Sequence, residues 1–293
     1  MTALRQRMLE DMKIRNLALN TQDSYLRQIS QFARHFAKSP DLLGQEEIRS
    51  YQIYLTQEKK LAPGSVTIAV SALRFLYKVT LRREWNLDDI IPAPKTPKKL
   101  PVILSPEEVL QFLSWVPEGK HRIILTTCYA AGLRITEAVS LQAHHIDSQR
   151  MMIRVEQGKG QKDRYVMLSP KLLDILRQWW RVARPQIWLF PGDHPEQHIG
   201  RNAVELVCKQ TRRRHRIAKP ITPHSMRHAF AVHLLERGVD VRTIQLLLGH
   251  RSLATTARYL RMATSKVCST TSPLDLLPQP LPPAPKPTPP QVF

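Results

Sequence analysis

The chain has 293 residues, 42% of them hydrophobic, and carries 44 lysines and arginines against 24 acidic residues, a formal charge of +20. Such a length accommodates two domains with cores of their own. The excess charge calls for a polyanionic partner, most simply DNA or RNA, although a ribosomal or membrane-surface role would carry a similar excess. No stretch approaches the roughly 18 apolar residues of a spanning helix, and the polar start MTALRQRMLEDMKIRN lacks a signal-peptide core, so a cytoplasmic, nucleoid-associated protein is expected. Cys128, Cys208 and Cys268 are few, far apart and without a C-x-x-C, which argues against a disulfide framework and a zinc site.

Residues 1–90 read as a helical bundle. In TQDSYLRQISQFARHF, Tyr25, Ile29, Phe32 and Phe36 recur at helical spacing behind Asn20 or Thr21 as the cap. A second helix from about Glu46 uses Ile48, Tyr51 and Leu55. After the breaker Ala62-Pro63-Gly64, a third uses Val66, Val70, Leu73 and Leu76. Lys59, Lys60, Arg74, Lys78, Arg82 and Arg83 suit either a DNA-contacting face or a solvated one. Residues 91–103 open with IPAPKTPKKLP, four prolines and three lysines without an apolar period, which reads as a stiff basic linker.

Residues 104–264 read as a second domain. Ser105-Pro106-Glu107-Glu108 predicts a capping box with proline at the first helical position, and Leu104 and Val109 a hydrophobic staple. The apolar RIILTTCYAAG follows, and Leu133-Arg134-Ile135-Thr136-Glu137 opens another helix directly after Gly132. Met151 to Leu168 is the strong strand signal, two β-favouring runs around Gly158-Lys159-Gly160, with Lys159 at the hairpin tip. A helix from Lys171 brings Trp179 and Trp180, read as a core pair, and Arg201 to Arg216 forms a basic helix whose Arg212, Arg213 and Arg214 suit phosphate contacts. Residues 265–293 form a proline-rich tail that packs no helix or sheet, with nine prolines in the last twenty-one residues. Its Leu274, Leu276 and Leu277 could dock on a neighbour or hang free.

The chemistry concentrates in Ile221 to Tyr259. Thr222 and Pro223 predict a helix start that puts His224 and Arg227 on one face of the first two turns. The next helix should stop at Gly249, leaving His250 on a turn, and Ser252 can cap a last short helix whose end presents Tyr259. A guanidinium that forks onto phosphate oxygens, a phenol that can attack and imidazoles that move protons suit phosphoryl transfer. His228 and His233, on the same helix, fit supporting roles in the core better than catalysis.

Four phrases in order, AAGLRITEAVSL, GKGQKDRYVML, TPHSMRHAFAVHLLERG and IQLLLGHRSLATTARY, closely resemble the tyrosine recombinase (phage integrase, Xer-like) family from Ser105 to about Arg261. The N-terminal region resembles that family's core-binding domain more loosely. The resemblance implies a mainly α fold with a small β-hairpin or sheet (α+β), in which a SAM-like helical bundle and a catalytic domain make a C-shaped clamp on double-stranded DNA. It implies site-specific strand cutting and rejoining through a 3′-phosphotyrosyl link, with no metal, ATP or other cofactor. Arg134 and Arg227 would grip the scissile phosphate, Tyr259 would attack, His224 would act as base and Lys159 as acid. His250 would bond the phosphate, and Glu137 would orient a neighbouring Arg or His or stand on the surface. A homo-oligomer is implied, a dimer on each site and a tetramer in synapsis. A type IB topoisomerase shares this chemistry, and a non-catalytic DNA-binding protein could keep the fold. Arg261 stands where relatives often have histidine, and the proline-rich tail departs from the short helix that many of them pass to a neighbour.

Overall fold

A computed structural model describes residues 2–94, 101–156, 163–194 and 196–263. The chain divides into two compact units, Met1–Lys99 and Leu100–Phe293.

The first unit is helical: α1 (Ala3–Ile14), α2 (Leu19–Phe36), α3 (Gln45–Ile53), α4 (Pro63–Phe75) and α5 (Leu87–Ile90). The apolar faces meet as their spacing requires. Leu26, Ile29 and Phe32 of α2 are buried with Ile48 and Tyr51 of α3 and Val66, Val70 and Leu73 of α4. α2 starts two residues earlier than its polar residues suggest, after Ala18, so Asn20 and Thr21 lie in its first turn. Pro63 and Gly64 are not a break but the first turn of α4, where a proline loses no hydrogen bond. α3 and α4 each run on through a π turn, Tyr54–Glu58 and Leu76–Thr80, closed by Lys59 N to Tyr54 O and Leu81 N to Leu76 O. Each then turns off at a positive-φ residue, Lys60 and Arg82.

Among the described residues, the second unit packs eight α-helices around a three-stranded sheet: α6 (Pro106–Trp115), α7 (Lys120–Ala130), α8 (Ile135–Val139), β1 (Ile146–Asp147), β2 (Met152–Val155), β3 (Arg164–Met167), α9 (Pro170–Ala183), α10 (Arg201–Arg214), α11 (Pro223–Glu236), α12 (Val241–Leu248) and α13 (Leu253–Ala257). All pairings are antiparallel, Ile146 opposite Ile153 and Val155 opposite Arg164. Ile153, Val155 and Val166 face the core while Arg154 and Tyr165 face out. β1, too short to carry a periodic signal, escapes the sequence.

The capping box of α6 is present, Glu108 N on Ser105 Oγ and Ser105 N on Glu108 Oε2, and Lys219 reaches the same carboxylate at 2.5 and 2.6 Å. α11 is the central helix. Ten of its fourteen residues are buried, and it serves two cores, Met226 and Ala229 on one side, Phe230, Val232 and Leu235 on the other. Trp179 is the core member of its pair, its indole donating to Leu189 O at 2.7 Å. Trp180 corrects the expectation of a buried pair: it sits one position on around α9 and is 42% exposed.

Candidate active site

Three guanidiniums are held between one carboxylate and one helix end. α12 stops at Gly249, whose φ of +60° is the left-handed geometry that glycine accepts without strain. Its last carbonyls are then unpaired within the helix, and each takes an arginine: Leu247 O accepts from Arg164 Nε at 3.1 Å, Leu248 O from Arg227 NH2 at 2.6 Å, and Gly249 O from Arg134 NH2 at 3.4 Å. The carboxylate is Glu137, in the first turn of α8. Arg164 forks onto both its oxygens at 2.9 and 2.7 Å, Arg134 donates through NH1 at 2.7 Å and through its backbone N–H at 2.8 Å, and Arg227 NH1 lies 3.7 Å away.

Two glycines let the parts close. A Cβ on Gly132 would lie 2.4 Å from the Phe230 ring, and one on Gly249 2.8 Å from Arg164 Cδ. The Gly132 carbonyl accepts from Arg227 NH1 at 2.6 Å. Arg227 is thus fixed from three elements although it is 1% exposed, and its buried Nε has no partner among the described residues. Burial, then the charge of Arg134, brings Arg227 down to about 10. Burial raises the Glu137 carboxyl, but the hydrogen bonds and charges of Arg164 and Arg134 outweigh it and hold the group at about 2.

The aromatic groups lie beside this cluster. Arg227 NH2 is 3.3 Å from His250 Nε2; an arginine only donates, so Nε2 accepts and the proton sits on Nδ1, which donates to Thr256 Oγ1 at 2.9 Å. Burial, with Arg227 and Arg134 close by, keeps His250 neutral down to about 4. Tyr259 lies in the 3-10 turn Arg258–Arg261 after α13, buried, its ring 6.4 Å from that of His250. Its hydroxyl shares a 2.8 Å hydrogen bond with His228 Nδ1. Burial pushes the phenol up, against the pull of Arg227, Arg258 and Arg134. The same burial holds His228 down at about 3 and lowers His224, whose ring meets that of His228 edge-on at 4.3 Å.

Arg134, Glu137, His224, Arg227, His250 and Tyr259 therefore converge, while Lys159 lies outside the described residues. Sequence reasoning misses Arg164, and gives His228 a supporting role without its contact to the phenol. Arg164 follows a glycine- and lysine-rich segment whose signal points to the hairpin tip, and His228 sits on a helix already rich in histidine. His233 is structural, bonded to Tyr129 Oη at 2.9 Å and Leu104 O at 2.9 Å. Among the basic residues considered for DNA contact, Arg74 clasps the Ile91 carbonyl at 2.9 and 2.6 Å inside the first unit. Lys59 lies over the Tyr54 ring, and Arg212, Arg213 and Arg214 form the last turn of α10.

His144, His145 and Glu156 come close enough together to suggest a metal site. The Gln142 N–H occupies His145 Nδ1 at 3.1 Å, so in the neutral ring the proton is on Nε2, facing Glu156 Oε2 at 3.6 Å. That is an imidazole beside a carboxylate, with no lone pair left on Nε2 for an ion. Among the described residues, no helix is long and apolar enough to cross a membrane.

Residues 103–266 match the phage integrase family, and residues 4–87 match the phage integrase N-terminal SAM-like domain. The chain is 67% identical over 282 residues to the Sinorhizobium fredii protein y4qK, covering 96% of this chain and 92% of that one. It is 30% identical to an integrase/recombinase of Escherichia coli, with 92% of each covered. In fold it is similar to a crystal structure of a lambda integrase dimer bound to a core site, with a TM-score of 0.70 at 17% identity over 88% of this chain and 94% of that one. A family match spanning both units, together with relatives this similar along nearly the whole sequence, makes this chain a member of the phage integrase family, a tyrosine recombinase that cuts and rejoins DNA.

Proposed function

We propose that Tyr259 is the nucleophile and Arg134 and Arg227 the phosphate ligands of this recombinase. The observation that carries the reading is the convergence of a buried phenol and two anchored guanidiniums at one helix end. The phenol oxygen attacks phosphorus in line, the bond to the 5′ oxygen breaks, and a 3′-phosphotyrosyl link forms that keeps the bond's free energy for rejoining. Bidentate guanidiniums suit the charge of the pentacoordinate transition state better than ammonium groups.

His224 takes the phenol proton. Its lowered value keeps the ring neutral at pH 7, with a lone pair to accept. His228 holds the phenol in place until DNA arrives. Lys159 protonates the departing 5′ oxygen. In its resting tautomer His250 turns a lone pair to Arg227, so it orients that arginine first and bonds the phosphate only after gaining a second proton, which the anion's charge favours. Glu137 orients the arginines. The protein works as a dimer on each site and a tetramer in synapsis, in the cytoplasm.

The test uses a duplex recovered by the protein from a random-sequence pool and nicked beside the cleavage point, so that the cut strand diffuses away. The parent should give a denaturant-resistant protein–DNA adduct. Tyr259→Phe should bind the same duplex and give none. An undiminished adduct from that variant would transfer the nucleophile elsewhere.

A further inference from the structure

Arg164 has no part in the steps above, yet it is the most fully engaged of the three guanidiniums. Its fork takes both oxygens of Glu137, its Nε takes the Leu247 carbonyl, and its side chain is 12% exposed. A carboxylate offers about four lone-pair directions. Arg164 fills two and Arg134 the others, through NH1 and its backbone N–H, which leaves Arg227 at 3.7 Å. Without the Arg164 fork, a desolvated carboxylate would turn to the next cation in reach, because a buried charge gains most from a full ion pair. Arg227 is that cation, and a guanidinium neutralised by Glu137 has less charge to offer a phosphate.

We infer that Arg164 is a positioning residue: it occupies the Glu137 carboxylate so that Arg227, held off at 3.7 Å, keeps its charge for the scissile phosphate, and it does so without touching DNA. This rests on Arg134 and Arg227 being the phosphate ligands and adds a cation that governs how much charge Arg227 presents. It also accounts for Gly249, where a side chain would displace the aliphatic stem of Arg164.

Single-turnover cleavage of the selected nicked duplex tests it, with the parent, Arg164→Gln, Glu137→Gln and the double variant. Each is measured on the ordinary phosphodiester and on a methylphosphonate, in which one non-bridging oxygen is replaced by methyl and the charge is gone. Arg164→Gln should slow phosphodiester cleavage on the order of 100-fold, the scale on which removing one donor to a developing oxyanion acts. Duplex affinity should stay within about threefold, and the slowing on the methylphosphonate should be under about tenfold. In the Glu137→Gln background the same change should cost under about threefold, since no carboxylate remains to be held.

The ratio of the two substrates is taken within one preparation, so any loss of folded protein cancels. Equal slowing on both substrates, or the full loss repeated without Glu137, would overturn the role of Arg164. Arg227→Lys serves as the control for the underlying reading. A defect there that ignores the phosphate's charge would remove the arginine pair as ligands, whereas a charge-dependent defect there beside a charge-blind one in Arg164→Gln removes only this inference.

Discussion

Replacing Glu137 by Gln keeps the shape of the side chain and deletes the one negative charge among three guanidiniums. The carboxyl is held at about 2 from an ordinary 4.5, which corresponds to on the order of 3 kcal/mol at 1.36 kcal/mol per unit. Glu137 is 8% exposed, so solvent screening removes little of this. Deleting one partner of a buried pair typically costs about 3–5 kcal/mol, because the surviving charge stays desolvated. In a domain of this size that corresponds to a Tm lowered by roughly 6–20 °C. The folded value lies below the unfolded one, so the stabilisation is complete above about pH 4.5 and is lost as pH falls through 2. On the order of 1 kcal/mol should remain at pH 3. Thermal and urea unfolding of parent and variant should therefore give the same gap at pH 7 and pH 5, and less than half of it at pH 3. Other titrating groups are common to both proteins and drop out of the difference. A variant melting within about 2 °C of the parent at pH 7 would refute the reasoning, since a carboxylate carrying this ion-pair network cannot be removed at so small a cost.

Burial holds His228 neutral down to about 3, so below pH 6.5 the unfolded chain binds the proton that the folded one refuses, and stability falls as pH drops through 6.5. The part lost between pH 7 and pH 5 is about 2 kcal/mol; His228→Gln should make that limb of a pH–stability profile from urea unfolding shallower by about this amount, the remaining slope belonging to other histidines that burial also holds down, His250 and His224 among them. Gly132→Ala forces a left-handed alanine at φ +63° against the Phe230 ring. Left-handed strain and overpacking together should cost about 2–5 kcal/mol in denaturant unfolding.

Much of the site is legible because its backbone is written in a few residue types. Thr222-Pro223, Asp240 and Gly249 fix where α11 and α12 begin and end, and once those are fixed His224, Arg227 and His250 follow. Asp240 and Thr222 make the capping bonds their types predict. Ser252 takes the cap position of α13 without a side-chain bond, so its position is readable and its bonding is not. What escapes is anything settled by distant partners. Arg164 looks like one more basic residue of a basic hairpin, and only folding places it on Glu137, twenty-seven positions earlier. Arg74, counted among the basic residues for the polyanion, also ties α4 to the Ile91 carbonyl of its own unit, a contact its residue type does not announce. Periodicity places His228 on a buried helix and suggests a supporting role, but it carries no information about the phenol that arrives from thirty-one residues downstream.

The carbonyls at the end of α12 have a consequence for recognition. Arg134 and Arg227 are already immobilised on protein oxygens, so the rotameric freedom of these long side chains, about 2 kcal/mol each, is surrendered when the domain folds. On the proposed reading, an arriving phosphate meets donors that do not need to be ordered. If those two arginines hold the phosphate as proposed, the pocket treats every phosphodiester presented to it alike, and discrimination among target sequences falls to other groups of the chain.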